Sequence, residues 1–395
     1  MIKENDDRSL IHVWVPNLFD FKGGIQVYLG DLLQALVKLR AQGRIPARKN
    51  IDIVVFDKLD TGKTNRHLAF DNVDFWFGGS WSRGIQTIVF AWRVLRDSLR
   101  HRPRLILCGH VNFAPVARLI HYLSGIPYWV FVYGVDAWDM DDFLRQRALL
   151  KADKIISISN YTRQRLLAEQ SLRPQDVVLL PVSFDIDRFQ PQLKPSYLSD
   201  RYGLQPSQPI ILTVARLATE DRHKGYDQIL KALPQIRSHI PDVHYILVGK
   251  GQDRPRIERL IQELGLQACV TLTGFVPDEE ICDYYNLCDV FAMPSKGEGF
   301  GIVYLEALAC GKPTVGGNQD GAIDALCNGE LGILVDPDNL DEIADTLITI
   351  LRGESVHPIV YRPEILRQKV EEIYGFEQFQ ANLLALIETS ALAAQ

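Results

Sequence analysis

The chain lacks the features that would place it in several classes. No apolar run approaches the ~18 residues of a membrane span, so no crossing segment is expected. Positive charge is not in excess: 43 Lys and Arg stand against 49 Asp and Glu. The formal net charge of -6 gives no overall basic signature for nucleic acid. The six cysteines, Cys108, Cys269, Cys282, Cys288, Cys310 and Cys327, form no C-x-x-C pair, and most sit in apolar runs. They read as reduced core residues of a cytosolic protein, not as disulfides or a zinc site. Residues 1–9 are polar and charged, so no signal peptide is expected. No repeat at solenoid periods is visible.

What is present is an alternation. The 395 residues are 47% hydrophobic and 23% charged, the profile of a soluble globular protein with two domains rather than one core. Apolar runs that read as strands recur at 10–16, 51–56, 73–76, 105–110, 128–132, 154–158 and 177–182. The pattern restarts at 210–215, 244–248, 270–276, 289–294, 314–315 and 332–337. Helical spacing fills the intervals, first from Gly24, where Ile25, Tyr28, Leu29, Leu32, Leu33 and Leu36 share a face. Further helices are expected at 85–99, 226–239, 302–309, 340–351 and 364–386. Two open parallel-sheet α/β domains with a cleft between them follow. Such sheets bind ligands beyond the carboxyl ends of their strands. Gly23, Tyr133, Arg216, Gly249, Phe275 and Glu298 all follow expected strands.

The densest signal lies in residues 294–313. Gly297, Gly299 and Gly301 break regular structure, and from Ile302 the apolar positions Leu305 and Ala309 keep helical spacing. Gly311 suits a C-cap, with Pro313 just beyond it. A glycine loop opening a helix offers unpaired N–H groups and a partial positive charge, so Gly299, Phe300, Gly301 and Ile302 form a start suited to phosphate. Glu298 sits in the loop and Glu306 in the helix, among Tyr304, Leu305, Ala307 and Leu308. A carboxylate there is costly without a hydrogen-bond partner. Ligand hydroxyls would serve, and so would a neighbouring backbone group.

Weaker candidates are scattered. Gly23 and Gly24 form a second anion-ready turn, or only a tight one. Arg216 ends a strand and Lys224 precedes a helix, where both could be plain surface charges. Gly249 and Gly251 close a strand in a Gly-rich turn without the full dinucleotide fingerprint. His110, at a strand end, suits catalysis, acceptor binding or a structural role. The helix 85–99 and its flanks carry Arg83, Arg93, Arg96, Arg100, Arg102 and Arg104 against only Asp97, with Ile88, Val89, Trp92 and Leu95 on its other side. It is the solvated face of a surface helix, or an interfacial basic helix around Arg93–Arg104 that meets anionic lipid or an anionic acceptor.

The order Glu298, Gly299, Phe300, Gly301, Glu306, followed by Ala307-Leu308-Ala309-Cys310-Gly311-Lys312-Pro313, resembles the paired-glutamate motif of retaining glycosyltransferases of the GT-B fold, in their large fourth family. Residues 152–159 resemble that family's "ADxIIxxS" strand, and Asp187-Arg188-Phe189 its pattern before the interdomain linker. The resemblance implies two Rossmann-like parallel-sheet domains facing each other across a cleft. Residues 1–190 would form the acceptor domain, with the tail 374–395 returning to it. Residues 191–208, rich in Pro, Ser and Gln, would be the linker, and 209–373 the nucleotide-sugar domain.

Carried over by resemblance, Glu298 contacts the donor sugar and Glu306 the nucleotide ribose. Arg216 and Lys224 bind the donor diphosphate. Gly23 and Gly24 meet donor phosphate or acceptor. Gly249, Gly251, Phe275 and Val276 line the donor pocket, and Asp320-Gly321 resemble a further sugar contact. Tyr133 stands where many members carry a sugar-contacting histidine. It keeps a hydroxyl but lacks an imidazole that titrates near neutral pH. Asp136 and His110 fall on the acceptor side.

The activity so implied is transfer of a hexose from a nucleotide sugar to a hydroxyl of a glycan, lipid-linked sugar or small acceptor, with retention. No residue stands out as a carboxylate nucleophile, which suits direct front-face transfer. No cofactor beyond the donor, and no metal, is expected. Asp139-Met140-Asp141 has the Asp-x-Asp spacing but lies on the acceptor side. Residues 301–306 are similar to mannose-transferring relatives, which favours GDP-mannose over a UDP-glucose type of donor. A non-catalytic partner subunit, a sugar phosphorylase and a nucleotide-sugar epimerase of related fold compete with this reading. The expected location is the cytoplasm, at the inner face of the membrane if the basic helix is interfacial.

Overall fold

The computed structural model describes residues 9–20, 23–44, 51–64, 69–70 and 72–389. Residues 1–8, which carried most of the signal-peptide argument, lie outside these, as do 21–22 and the last part of the tail, 390–395. Contacts divide the chain into two compact units, Met1–Ser183 with Phe376–Gln395, and Phe184–Gly375.

The first unit holds seven strands: β1 (Ser9–Val15), β2 (Ile51–Asp57), β3 (Val73–Phe77), β4 (Leu105–Cys108), β5 (Tyr128–Val132), β6 (Lys154–Ser157) and β7 (Val177–Leu179). Their order is β3-β2-β1-β4-β5-β6-β7, all parallel. A parallel sheet is covered on both faces, so its strands read as unbroken apolar runs. β5, Tyr-Trp-Val-Phe-Val, is buried at every position. The helices Arg83–His101 and Ala114–Ser124 cross from β3 to β4 and from β4 to β5. The helix Gly24–Ala41 packs with the last helix, Phe376–Glu388. There the Tyr28 and Phe379 rings meet edge to face at 5.6 Å, and Lys38 Nζ lies 4.5 Å from the centre of the Phe376 ring.

The second unit holds β8 (Ile210–Val214), β9 (His244–Val248), β10 (Val270–Gly274), β11 (Val290–Met293), β12 (Thr314–Gly317) and β13 (Ile333–Val335). Their order is β10-β9-β8-β11-β12-β13, again all parallel. Its core joins the helices Tyr226–His239 and Leu340–Leu351 to the sheet through residues such as Tyr245, Leu247, Leu233 and Leu347.

Two expectations about the chain's course need correction. The change of unit falls between Ser183 and Phe184, not at 190, and 191–208 is part of the second unit rather than a free linker. It contains the helix Ser196–Tyr202. Lys194 pairs with Asp289 at 2.6 Å, Tyr197 donates to Asp283 at 2.6 Å, and Arg201 pairs with Glu280 at 2.7 Å. These partners lie 79 to 95 residues away in sequence, beyond the reach of local composition. The single helix expected at 364–386 is two, Pro363–Tyr374 and Phe376–Glu388. Gly375 is extended between them, where a Cβ would fall 2.5 Å from Glu371 O.

Strand order reverses at one point in each sheet, between β1 and β4 and between β8 and β11. Open α/β sheets bind ligands beyond the strand ends at such points. In the second unit the two loops concerned carry Arg216, after β8, and residues 294–301, after β11.

Candidate functional site

The loop after β11 is built around a buried carboxylate. Asp320 is inaccessible to solvent. Its Oδ2 accepts from Ser295 Oγ at 2.7 Å, Gly297 N at 2.8 Å and Glu298 N at 2.7 Å, and its Oδ1 from Ala322 N at 2.9 Å. Asp320 is therefore a clamp on the loop, a role that the resemblance did not imply. Burial lifts its carboxyl above the usual range, against the pull of these donors. Gly321 N donates to Glu298 O at 2.9 Å, and a Cβ on Gly321 would fall 2.3 Å from Gly299 O. Gly301 then turns at φ +86, the left-handed region that glycine tolerates, and caps the helix Ile302–Ala309.

A second loop meets the first. Residues Thr219–Lys224 form a 3-10 turn that ends at Gly225, φ +82. A Cβ there would fall 2.2 Å from Pro294 O, and Lys296 N donates to His223 O at 2.9 Å. This approach delivers Lys224 to Glu298, and their side chains form a part-buried ion pair. Arg216 grips the buried Asp221 through Nε and Nη2, which raises the guanidinium pKa, and Glu298 acts on it in the same sense. On the helix, Glu306 Oε2 accepts from Tyr285 OH at 2.6 Å. One of its partners is thus a side chain. Burial, with Glu306 beside it, holds Tyr285 well above the ordinary tyrosine range.

The strand-end glycines have another task. Gly249 sits at φ +145 with its N–H donated to Gly274 O at 3.0 Å. A Cβ on Gly249 would fall 1.8 Å from Ala215 O, and one on Gly251 1.9 Å from Leu217 O. Both make room for the backbone that carries Arg216. Phe275 is 66% exposed beneath Lys250, whose Nζ is 4.6 Å from the ring centre, and Val276 is half-buried.

In the first unit, Gly23 is extended and Gly24 opens a helix, where a Cβ would meet nothing within 4 Å. No tight turn demands these glycines. The loop before them is held by buried Asp60, which accepts from Leu18 N at 2.7 Å and Phe19 N at 2.6 Å. Tyr133 is buried, with its ring edge-to-face on Tyr28 at 5.5 Å and its hydroxyl donating to Gly109 O at 3.2 Å. Its proton is spent on the fold rather than offered to a sugar. Asp136 Oδ1 accepts from Tyr133 N at 2.9 Å, while its buried Oδ2 has no hydrogen-bond partner. Burial pushes this carboxyl up to about 7. His110 Nδ1 accepts from Asn112 N at 3.1 Å, leaving the ring proton on Nε2. Burial, then Arg145 and Lys58, lower its pKa to about 4, so the ring is neutral at physiological pH.

One set of candidates is therefore assembled around the β8–β11 switch point: Arg216, Lys224, Glu298, residues 299–302 and Glu306. The sequence profile described as "Glycosyl transferases group 1" matches residues 198–366, which contain all of them. The "Glycosyl transferase 4-like domain" profile matches residues 23–183. The chain is similar to the group 1 glycosyl transferases over the first of these spans and to the glycosyl transferase 4-like domain over the second.

The chain is 34% identical over 209 residues to the GDP-mannose-dependent alpha-(1-6)-phosphatidylinositol monomannoside mannosyltransferase of Mycolicibacterium smegmatis, covering 51% of this chain and 53% of that protein. The chain thus spans about half the length of the curated relatives it matches first. Among solved structures, sucrose-phosphate synthase from Thermosynechococcus elongatus superimposes with a TM-score of 0.76 at 21% identity, over 98% of this chain and 100% of that one. Anabaena Alr3699/HepE, in complex with UDP and glucose, gives 0.73 at 19% identity, over 96% and 100%. The fold is GT-B, with two Rossmann-like parallel-sheet units. Among the described residues no helix is long and apolar enough to cross a membrane.

Asp320, Tyr285, Asp221 and Asp60 were missed or misread from sequence. Only Asp320, a carboxylate between two glycine-bearing segments, left a local signal, and it pointed to a sugar contact rather than to the clamp.

Proposed function

We propose that the chain transfers a hexose from a nucleoside-diphosphate sugar to an acceptor hydroxyl with retention, and that the donor is GDP-mannose in preference to a UDP-glucose type. The observation that carries this reading is the Lys224–Glu298 pair beside Arg216, at the switch point and against a glycine-opened helix. The difficult charge in such a transfer is on the departing diphosphate. Two cations and a helix start offer fixed positive charge for it. Lys224 takes the diphosphate, and Glu298, released from the ion pair, accepts from sugar hydroxyls. Glu306 accepts from the ribose. On the acceptor side, the unpartnered Asp136 Oδ2 is suited to an incoming hydroxyl.

The mannosyltransferase named for Mycolicibacterium smegmatis supports GDP-mannose, and the Anabaena protein seen with UDP and glucose supports the alternative. The acceptor is a glycan, a lipid-linked sugar or a small hydroxyl compound. No resident metal is proposed, so activity should survive chelation by EDTA. A melting-temperature panel of GDP, UDP and ADP tests the donor class. A ligand at ~100 times its dissociation constant adds about 2.7 kcal/mol of stability. NMR of the first product formed tests retention: a product of inverted anomeric configuration rejects it. One observation favours a second reading. With Tyr133 in the core where relatives carry a sugar-contacting histidine, the chain could serve as a non-catalytic partner of another transferase. Slow hydrolysis of the donor in the absence of acceptor separates the two.

A further inference from the structure

The helix Arg83–His101 presents the wrong residues to water. Gln86, Phe90, Val94, Asp97 and Ser98 are buried against the fold, while Ile85, Ile88, Trp92 and Leu99 are exposed. Positions 85, 88, 92, 96 and 99 fall on one helical stripe, so the outer face is largely apolar. Ile88 is 68% and Trp92 58% exposed, and Trp81, just before the helix, extends the row. The adjoining helix Ala114–Ser124 repeats the feature with Leu119, Leu123 and Tyr122, the last 84% exposed. A soluble surface rarely groups apolar side chains in this way unless something covers them.

The charges around the stripe say what does. Residues 81–124 carry seven arginines and a single acidic residue, Asp97, in a chain whose net charge is -6. Asp97 is buried and held by Arg93 at 2.7 Å, so it does not offset the outer surface. Arg83, Arg96, Arg100 and Arg102 are exposed, and the Arg96 guanidinium lies 5.4 Å from the centre of the Trp92 ring. Tryptophan and isoleucine flanked by arginine suit the boundary between lipid headgroups and acyl chains, where apolar rings sink and guanidinium groups stay with phosphate. We propose that this face docks the protein on an anionic lipid bilayer, as a peripheral contact that leaves no segment across it.

The test needs neither donor nor acceptor, so it stands or falls apart from the transferase reading. The full chain is sedimented with vesicles of phosphatidylcholine alone and of phosphatidylcholine mixed with phosphatidylglycerol. Binding to the mixed vesicles, weakened by salt, is expected. An arginine near an anionic surface is worth roughly fivefold in partitioning, so Arg96→Glu with Arg100→Glu should lower it at least tenfold. Ile88→Ser with Trp92→Ser should lower it on the same vesicles. All four positions are exposed, and unchanged melting temperatures verify the fold. No binding at low salt, or binding indifferent to both double variants, overturns the proposal. So does a dimer in solution that Ile88→Ser with Trp92→Ser dissolves while vesicles go unbound, because a second copy would then be what covers the face.

Discussion

Lys224 and Glu298 are 74 residues apart in sequence, yet the ammonium donates to the carboxylate and each side chain is only 18% exposed. Each charge satisfies the other. A donor would separate them, offering phosphate to one and hydroxyls to the other. Neither charge then meets an empty, part-buried site at any stage.

The first prediction follows from that exchange. Interactions that strengthen as the diphosphate gains charge act on kcat. A hydrogen bond to a charged group is worth roughly 1.5–3 kcal/mol, or about ten- to 150-fold. Lys224→Ala should lower kcat by at least tenfold, with a smaller effect on the donor Michaelis constant. Arg216→Lys should also be costly, since a point charge cannot reproduce the two-nitrogen grip on Asp221. Both residues act on one group, so the double variant should lose less than the sum. Wild-type kcat in Lys224→Ala would refute the leaving-group role.

The Tyr285–Glu306 bond makes the ribose prediction sharper. Glu306→Gln should weaken nucleoside-diphosphate binding and leave the fold intact. Tyr285→Phe removes only the hydroxyl that orients Glu306, so it should weaken the same binding by less, about 0.5–1.5 kcal/mol. Calorimetry with the nucleotide measures both. If Tyr285→Phe costs stability but no affinity, the bond serves the core alone.

For Tyr133 the expected outcome is structural. Tyr133→Phe leaves the Gly109 carbonyl without its donor, a loss of about 1–3 kcal/mol in stability. Transfer rate and nucleotide affinity should hold near wild type. A tenfold fall in kcat without destabilisation would return the hydroxyl to the donor sugar.

The strands and the glycine loop were legible because both are local patterns: unbroken apolar runs for a covered parallel sheet, and glycines before an apolar helix. The partners of the charged groups were not. Glu306 meets Tyr285 from a different helix, and Asp320 reaches back 22 and 23 residues to the amides of Glu298 and Gly297. Gly249 reads as a donor-pocket residue because its sequence context is the same whether its N–H faces a ligand or Gly274. Proline and serine in 191–208 suggested a linker, but that segment contains the helix Ser196–Tyr202 and is tied to the second unit by remote carboxylates.

A buried carboxyl pair in the first unit gives a pH prediction. Asp57 Oδ1 accepts from Leu59 N at 3.1 Å and Asp60 N at 2.8 Å, while its Oδ2 is buried. Burial, then the Asp60 carboxyl, push Asp57 from its ordinary 3.8 up to about 8. The folded state therefore holds a proton that the unfolded chain releases near pH 4. The stability this supplies is full below pH 4 and is lost as pH rises toward 8, at up to about 1.4 kcal/mol per unit. Asp136, pushed up to about 7, adds the same sign over a narrower window. Asp57→Asn mimics the protonated form, because its amide can donate to Asp60. Melting temperature against pH should fall less steeply in this variant. An unaltered slope would mean that Asp57 is ionised in the fold.

Asp320 offers a test of how the loop bearing Glu298 is held. Its Oδ2 collects three donors and its Oδ1 a fourth. Asparagine has one acceptor oxygen, so in either orientation its amide nitrogen faces a donor. If nitrogen replaces Oδ2, the N–H groups of Gly297 and Glu298 and the Ser295 hydroxyl lose their acceptor. If it replaces Oδ1, Ala322 N does. A buried group left unsatisfied costs about 1–3 kcal/mol, so Asp320→Asn should lower stability by at least that much. It should also loosen the backbone that aims Glu298, although Asp320 itself need touch no ligand. Hydrogen exchange at Gly297 and Glu298 should quicken, and kcat should fall alongside it. Loss of activity with exchange and stability both at wild-type levels would instead make Asp320 a direct ligand contact, against the geometry of its four bonds.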